Sequence, residues 1–163
     1  RQEPDVQSRI AYLNRFPRAM QAMLGLQQYV NQCGLEYSLL ELVKMRASQI
    51  NGCAYCLDMH SKDARAAGET EQRLYLLDAW REAPFYTARE RAALEWTEAL
   101  TRLGPHGVPD EIYDAVRPHF SEEELVNLSL AIVAINGWNR LSIAFRPEVG
   151  SYKPAAPAAR AAS

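Results

Sequence analysis

The chain has 163 residues, 48% hydrophobic and 23% charged, with a formal net charge of −2. That length suits one domain with a real core, and the charge balance leaves no electrostatic footprint for nucleic acid or an anionic membrane surface. No apolar run approaches the roughly 20 residues of a transmembrane helix, and the polar start Arg1-Gln-Glu-Pro-Asp5 lacks the apolar stretch of a secretory signal, so the expected compartment is the cytoplasm.

In chain order, Ile10, Leu13 and Phe16 recur at helical spacing, and Pro17 suits the first turn of a second helix. That helix is expected to run to about Cys33, with Met20, Met23, Leu24 and Val30 as its core face and Gly34 as its stop. Cys33 reads as a buried structural cysteine. Ser38 and Glu41 fit a capping box opening a helix to about Ile50, with Leu39, Leu42, Val43 and Met45 on its apolar side. Asn51-Gly52 then closes it, and Cys53 falls at or beside the N-cap of the next helix. After Gly68, Thr70 opens a short helix carrying Leu74 and Leu77, which ends before Pro84.

Thr87 with Glu90 repeats the capping-box pattern and starts a longer helix through Leu94, Ala99 and Leu103, broken by Gly104-Pro105. Pro109-Asp110 leads into a helix bearing Ile112, Tyr113 and Val116 and ending near Pro118. Ser121 and Glu124 form another box. The stretch that follows, Leu125 to Phe145, is apolar on nearly every side, which predicts a central helix or one covered by another subunit. The Ala- and Pro-rich residues 151–163 carry no core, so they are expected to be a tail, disordered alone or lying as an arm on a neighbour. No alternating strand pattern appears, so the fold class is all-α, with a single domain over residues 1–150.

The chemistry concentrates in the helix after Gly52. Cys53 and Cys56 are three residues apart and Cys56 and His60 four apart, so two thiols and an imidazole share one helical face. A helix N-terminus stabilises a thiolate, a nearby imidazole can take its proton, and cysteines at this spacing are within disulfide reach. The pattern reads as dithiol redox chemistry. A structural zinc site would need a fourth ligand, and Cys33, His106 and His119 show no paired spacing with the cluster; covalent haem would need His directly after Cys56, where Leu57 stands. An odd total of three cysteines fits a reducing compartment. Which sulfur attacks stays open on physical grounds: the helix dipole favours Cys53, the imidazole at i+4 favours Cys56.

Glu41 followed after twelve residues by Cys53-x-x-Cys56-x-x-x-His60, within Leu-Val-Lys-Met-Arg-Ala-Ser-Gln-Ile-Asn-Gly-Cys-Ala-Tyr-Cys, resembles the alkylhydroperoxidase AhpD-like family of the carboxymuconolactone decarboxylase superfamily. The resemblance extends more loosely to the apolar helix with Asn136-Gly-Trp-Asn139-Arg140. It implies an AhpD-like helical bundle assembled as a homo-oligomer, often trimers or hexamers, and a thiol peroxidase without haem, flavin or metal. It also implies Cys56 as the peroxidatic and Cys53 as the resolving cysteine, with His60 and Glu41 as a proton relay and an external dithiol or lipoyl-bearing protein as reductant. Some members carry His between the cysteines, where this chain has Ala54-Tyr55. The competing readings are a decarboxylase acting on a lactone carboxylate, which needs no redox cysteines, and a dithiol sensor or scaffold without turnover. For Glu41 the relay reading expects a pKa raised by partial burial, and the alternative is a cap and nothing more.

Overall fold

The computed structural model describes residues 6–155. Within them the regular structure is helical: α1 (Tyr12–Arg15), α2 (Pro17–Asn31), α3 (Tyr37–Asn51), α4 (Ala54–Ala66), α5 (Glu71–Tyr75), α6 (Ala88–Thr101), α7 (Asp110–Val116) and α8 (Glu122–Phe145), with 3₁₀ turns at Leu77–Ala79 and Arg117–His119. Local signals place several of these starts. Pro17 opens α2, Thr70 caps α5, and Thr87/Glu90 and Ser121/Glu124 each form both bonds of a capping box at α6 and α8.

Two apolar clusters join the helices. In the first, Leu128, Ala131 and Ile132 of α8 pack with Leu39, Leu40 and Val43 of α3 and with Ala93 and Trp96 of α6. In the second, Leu42 and Met45 on the opposite side of α3 pack with Leu74, Leu77, Trp80 and Leu94. Helix α3 is therefore enclosed, and it touches α4, α6 and α8. Gly137 lets α2 approach α8, since a Cβ there would stand 2.8 Å from Met23 Cε.

Four expectations need correction. The Ser38/Glu41 capping box does not form: α3 begins at Tyr37 with Glu36 at the N-cap and no side-chain cap bond, because the Glu41 carboxylate is drawn inward to Lys44 and His60. Helix α2 stops at Asn31 and buries only Val30, with Leu24 51% exposed, because it packs on α8 from outside. Cys33 lies just past its end and is half-buried, against the edge of the first cluster. Helix α8 is central but not enclosed. Val126 and Val133, seven residues apart and so on one face, are 60% and 57% exposed.

Helix α8 also meets the length and composition of a membrane span, contrary to the expectation that no stretch does. Its inner face is the hub on which α2, α3 and α6 pack, and it carries hydrogen-bonded Asn127, Asn136 and Asn139. Of the expected tail, residues 151–155 form an arm along α4, and residues 156–163 lie outside the described residues.

Candidate functional site

Helices α3 and α4 meet at a turn that organises the site. Gly52 ends α3 in the left-handed region, φ 69°, and its N–H donates to the Ser48 and Gln49 carbonyls. The chain then reverses, placing Cys53 as the N-cap of α4 with its Sγ accepting the Cys56 N–H at 3.3 Å. Cys53 and Cys56 are disulfide-bonded with their Cα atoms 5.3 Å apart, so the disulfide reach expected from their spacing is met. Both are buried in one cluster with Ala47 and Ile135, and Cys56 also lines a cavity of about 490 Å³.

Polar bonds fix this turn to α8. Asn51 Nδ2 donates to Oδ1 of both Asn136 and Asn139 at 2.9 Å, and Asn139 Nδ2 donates to Ser48 Oγ at 3.0 Å. Asn139 is fully buried, so the bonds satisfy a side chain that would otherwise be costly to enclose.

Glu41 reaches the cavity from α3 and is 2% exposed. Lys44 Nζ donates to its Oε1 at 2.8 Å, and its Oε2 lies 3.1 Å from His60 Nδ1. Burial alone would raise the carboxyl pKa, but the His60 hydrogen bond and the Lys44 charge outweigh it and hold the group at about 2. The expected raised pKa is thus reversed. Glu41 is an anion at neutral pH, and it fixes His60 by accepting from Nδ1–H, which leaves Nε2 as the ring's acceptor nitrogen.

Asp63 stands three residues beyond His60 on α4, and Tyr152 Oη donates to its two carboxylate oxygens at 2.9 and 3.0 Å. Glu41, His60 and Asp63 bring one donor atom each within 4.8 Å of one another, a set able to hold a cation. Lys44 already bonds Glu41 and Tyr152 already bonds Asp63, so an ion would have to displace those partners. Tyr55, in the place between the cysteines, is half-buried in the cavity wall, and burial raises its phenol pKa.

Of the four residues singled out from the sequence, Glu41, Cys56 and His60 line one cavity between α3 and α4, and Cys53 is joined to it through its disulfide to Cys56. Three others were missed. Lys44 lies at i+3 from Glu41 and Asp63 at i+3 from His60, spacings that put them on the same helical faces and could have flagged them. Tyr152 carries no local signal, since its partner is 89 residues away.

Comparison with known proteins places this geometry in a family. The model of the carboxymuconolactone decarboxylase family matches residues 17–99, which hold all four residues. The uncharacterised protein YdfG of Bacillus subtilis is 48% identical over 136 residues, 83% of this chain and 92% of its own length. The crystal structure of ATU0492 from Agrobacterium tumefaciens, a protein of unknown function suggested to be the antioxidant defence protein AhpD, superposes with a TM-score of 0.85. It is 44% identical, and the match covers 90% of this chain and all of that one. The debrominase Bmp8, in complex with 2,3,4-tribromopyrrole, shares the fold at 22% identity, with a TM-score of 0.76 over 92% of this chain and 78% of its own. The chain belongs to the carboxymuconolactone decarboxylase family, among its AhpD-like members.

Proposed function

We propose that the chain is a thiol-dependent peroxidase of the alkylhydroperoxidase type, reducing organic or hydrogen peroxide through Cys53 and Cys56. The observation that carries this reading is the disulfide-bonded pair at the N-terminus of α4, with Cys56 opening to a cavity that also holds the Glu41–His60 pair. The Cys56 thiolate attacks the peroxide O–O bond, and the alcohol or water leaves with a proton, giving a Cys56 sulfenic acid. The Cys53 thiol then condenses with it, releasing water and forming the disulfide. An external dithiol, lipoyl-bearing or otherwise, reduces that disulfide and is itself oxidised.

His60 takes the Cys56 proton and returns it to the leaving oxygen, and ionised Glu41 holds the imidazole in one orientation by accepting from its Nδ1–H, as the acid does in hydrolase triads. The buried position of Cys53 beside Ala47 and Ile135 suits a resolving role, and the cavity position of Cys56 suits an attacking one. The same reading includes a cytoplasmic setting, where the pair is kept reduced between turnovers, and a homo-oligomer.

The test is reduction of tert-butyl hydroperoxide by the protein with a dithiol donor. Catalytic turnover is expected for wild type and none for Cys56→Ser. Cys53→Ser should form one sulfenic acid per chain, trapped by dimedone, and then stop. Stoichiometric oxidation of wild type without turnover would replace the peroxidase reading with a sensor.

A further inference from the structure

The cavity beside Cys56 is far larger than the peroxide group. It measures about 490 Å³, whereas hydrogen peroxide, about two waters in size, needs on the order of 60 Å³. Its volume falls in the range of sites that enclose a small organic molecule, roughly 300 to 1,000 Å³. The walls are aromatic: Tyr12, Tyr37, Tyr55, Trp138 and Tyr152 all line it, and the exposed Leu24 of α2 forms part of its edge. One wall is the arm after α8. Lys62 Nζ donates to the Gly150 and Tyr152 carbonyls at 3.0 and 3.1 Å, the Gly150 N–H donates to Asp58 Oδ2 at 3.1 Å, and Tyr152 bonds Asp63. These bonds hold Tyr152 in the cavity wall, which Ala155 also lines.

The charge in the cavity is confined to one pole. Glu41 and Asp63 face Lys44 and His60 there, both already bonded to Glu41, and among the described residues no arginine lines the space. A carboxylate on the ligand would meet two acidic groups and no unpaired lysine or arginine, which disfavours it. Flat rings and a polarisable Met59 suit an uncharged ring.

We propose that this cavity binds the uncharged, ring-bearing body of an organic hydroperoxide, with its O–O group delivered to Cys56 and the arm at 150–155 closing one side. The inference rests on the thiol-peroxidase reading for the reacting group, and on the cavity alone for the body. The probes are cumene hydroperoxide, hydrogen peroxide, a fatty-acid hydroperoxide as the carboxylate-bearing competitor, and cumyl alcohol as an unreactive analogue.

With the reduced wild-type protein, thiol oxidation by cumene hydroperoxide should saturate with concentration and be slowed competitively by cumyl alcohol. Oxidation by hydrogen peroxide should stay first-order in peroxide, and the carboxylate-bearing hydroperoxide should react at least about tenfold more slowly than the cumene compound. Leu24→Trp, a surface change that narrows the cavity, should lower the ratio of cumene-hydroperoxide to hydrogen-peroxide rate constants about tenfold, the scale of a lost apolar contact in a pocket. Cumyl alcohol should also change the emission of Trp138, an effect absent in Trp138→Phe.

If no peroxide oxidises the thiols, the peroxidase reading fails, and the emission titration with cumyl alcohol decides the cavity by itself. Oxidation without saturation, together with no emission change, would overturn the inference while leaving the peroxidase intact. A faster reaction with the carboxylate-bearing hydroperoxide would overturn the charge argument and with it the proposed class.

Discussion

Replacing Glu41 with glutamine keeps the shape of the side chain but leaves one acceptor oxygen where Lys44 and His60 bond two, and removes the charge that both of them face. The cost follows from the folded pKa of about 2 against an ordinary value of 4.5. That gap of about 2.5 units, at 1.36 kcal/mol per unit, is about 3 kcal/mol of stabilisation at pH 7. The figure agrees in scale with breaking a buried ion pair by removing one partner, because Lys44 is only 8% exposed and would be left without its counter-ion. A mere cap would cost less than this and would leave turnover alone.

The pH dependence sharpens the prediction. Because the carboxyl pKa is depressed in the folded state, its contribution is complete above about pH 4.5 and is lost as pH falls toward 2. In urea unfolding followed by tryptophan emission, the gap between wild type and Glu41→Gln should be about 3 kcal/mol at pH 7, under half of that at pH 3, and nearly closed at pH 2. Peroxide turnover at pH 7 should fall roughly 10²-fold, the scale of a lost acid–base device, because His60 loses the anion that orients it. A gap under about 1 kcal/mol at pH 7, or one that does not shrink on acidification, would refute the buried ion pair. Unchanged turnover would remove Glu41 from the mechanism.

Three further outcomes are expected. Gly52→Ala should lower stability by about 1 to 2 kcal/mol, since only the left-handed conformation is strained and no neighbour meets the added Cβ; an unchanged urea midpoint would mean that the turn adapts. Asn139→Ala should cost about 1 to 3 kcal/mol and slow disulfide formation between Cys53 and Cys56, because it leaves Ser48 and Asn51 without their shared partner; thiol counting after mild peroxide reads the second effect. Light scattering should find a homo-oligomer that Val133→Lys weakens, because Val126 and Val133 lie on one outward face of α8, with Val133 beside Leu103; a wild-type monomer at micromolar concentration would contradict this.

Helix starts governed by contacts three residues away were legible: Thr87/Glu90 and Ser121/Glu124 close on themselves, and Gly52 and Cys53 sit where their types demand. The same capping pattern misled at Ser38. The local bond offered there competes with partners the pattern cannot see, Lys44 and above all His60, nineteen residues on, and the buried ion pair wins. Its pKa was misjudged for the same reason, since burial without its partners raises a carboxyl and burial with them lowers it. Composition likewise identified α8 as the hub but not its exposed face, because apolar residues all round a helix carry no direction. Leu24 failed as a core residue on the same ground: spacing says which residues share a face, not what lies opposite.

Helix α3 shows how the site is kept in place. It buries Glu41, Lys44, Arg46 and Ser48, all within three turns, where an apolar helix would have been simpler to enclose. Three of them are bonded outward to different neighbours, Glu41, with Lys44 bracing it, to His60 on α4, Arg46 to Glu98 on α6 at 2.8 Å, and Ser48 to Asn139 on α8. Apolar contacts tolerate sliding and rotation of a helix, whereas a buried ion pair or amide bond is lost within about an ångström. Bonds in three directions therefore fix both the depth and the rotation of α3. Its last turn, ending at Gly52, is rigidly placed, and Cys53 follows one residue later with Cys56 one turn beyond it. The two cysteines are thus held at the end of a clamped helix, and the Glu41–His60 bond is one of the clamps. Polar burial in α3 costs desolvation but fixes the carboxylate that holds His60 on α4, while Cys56 and His60 take their own separation from the one helix they share.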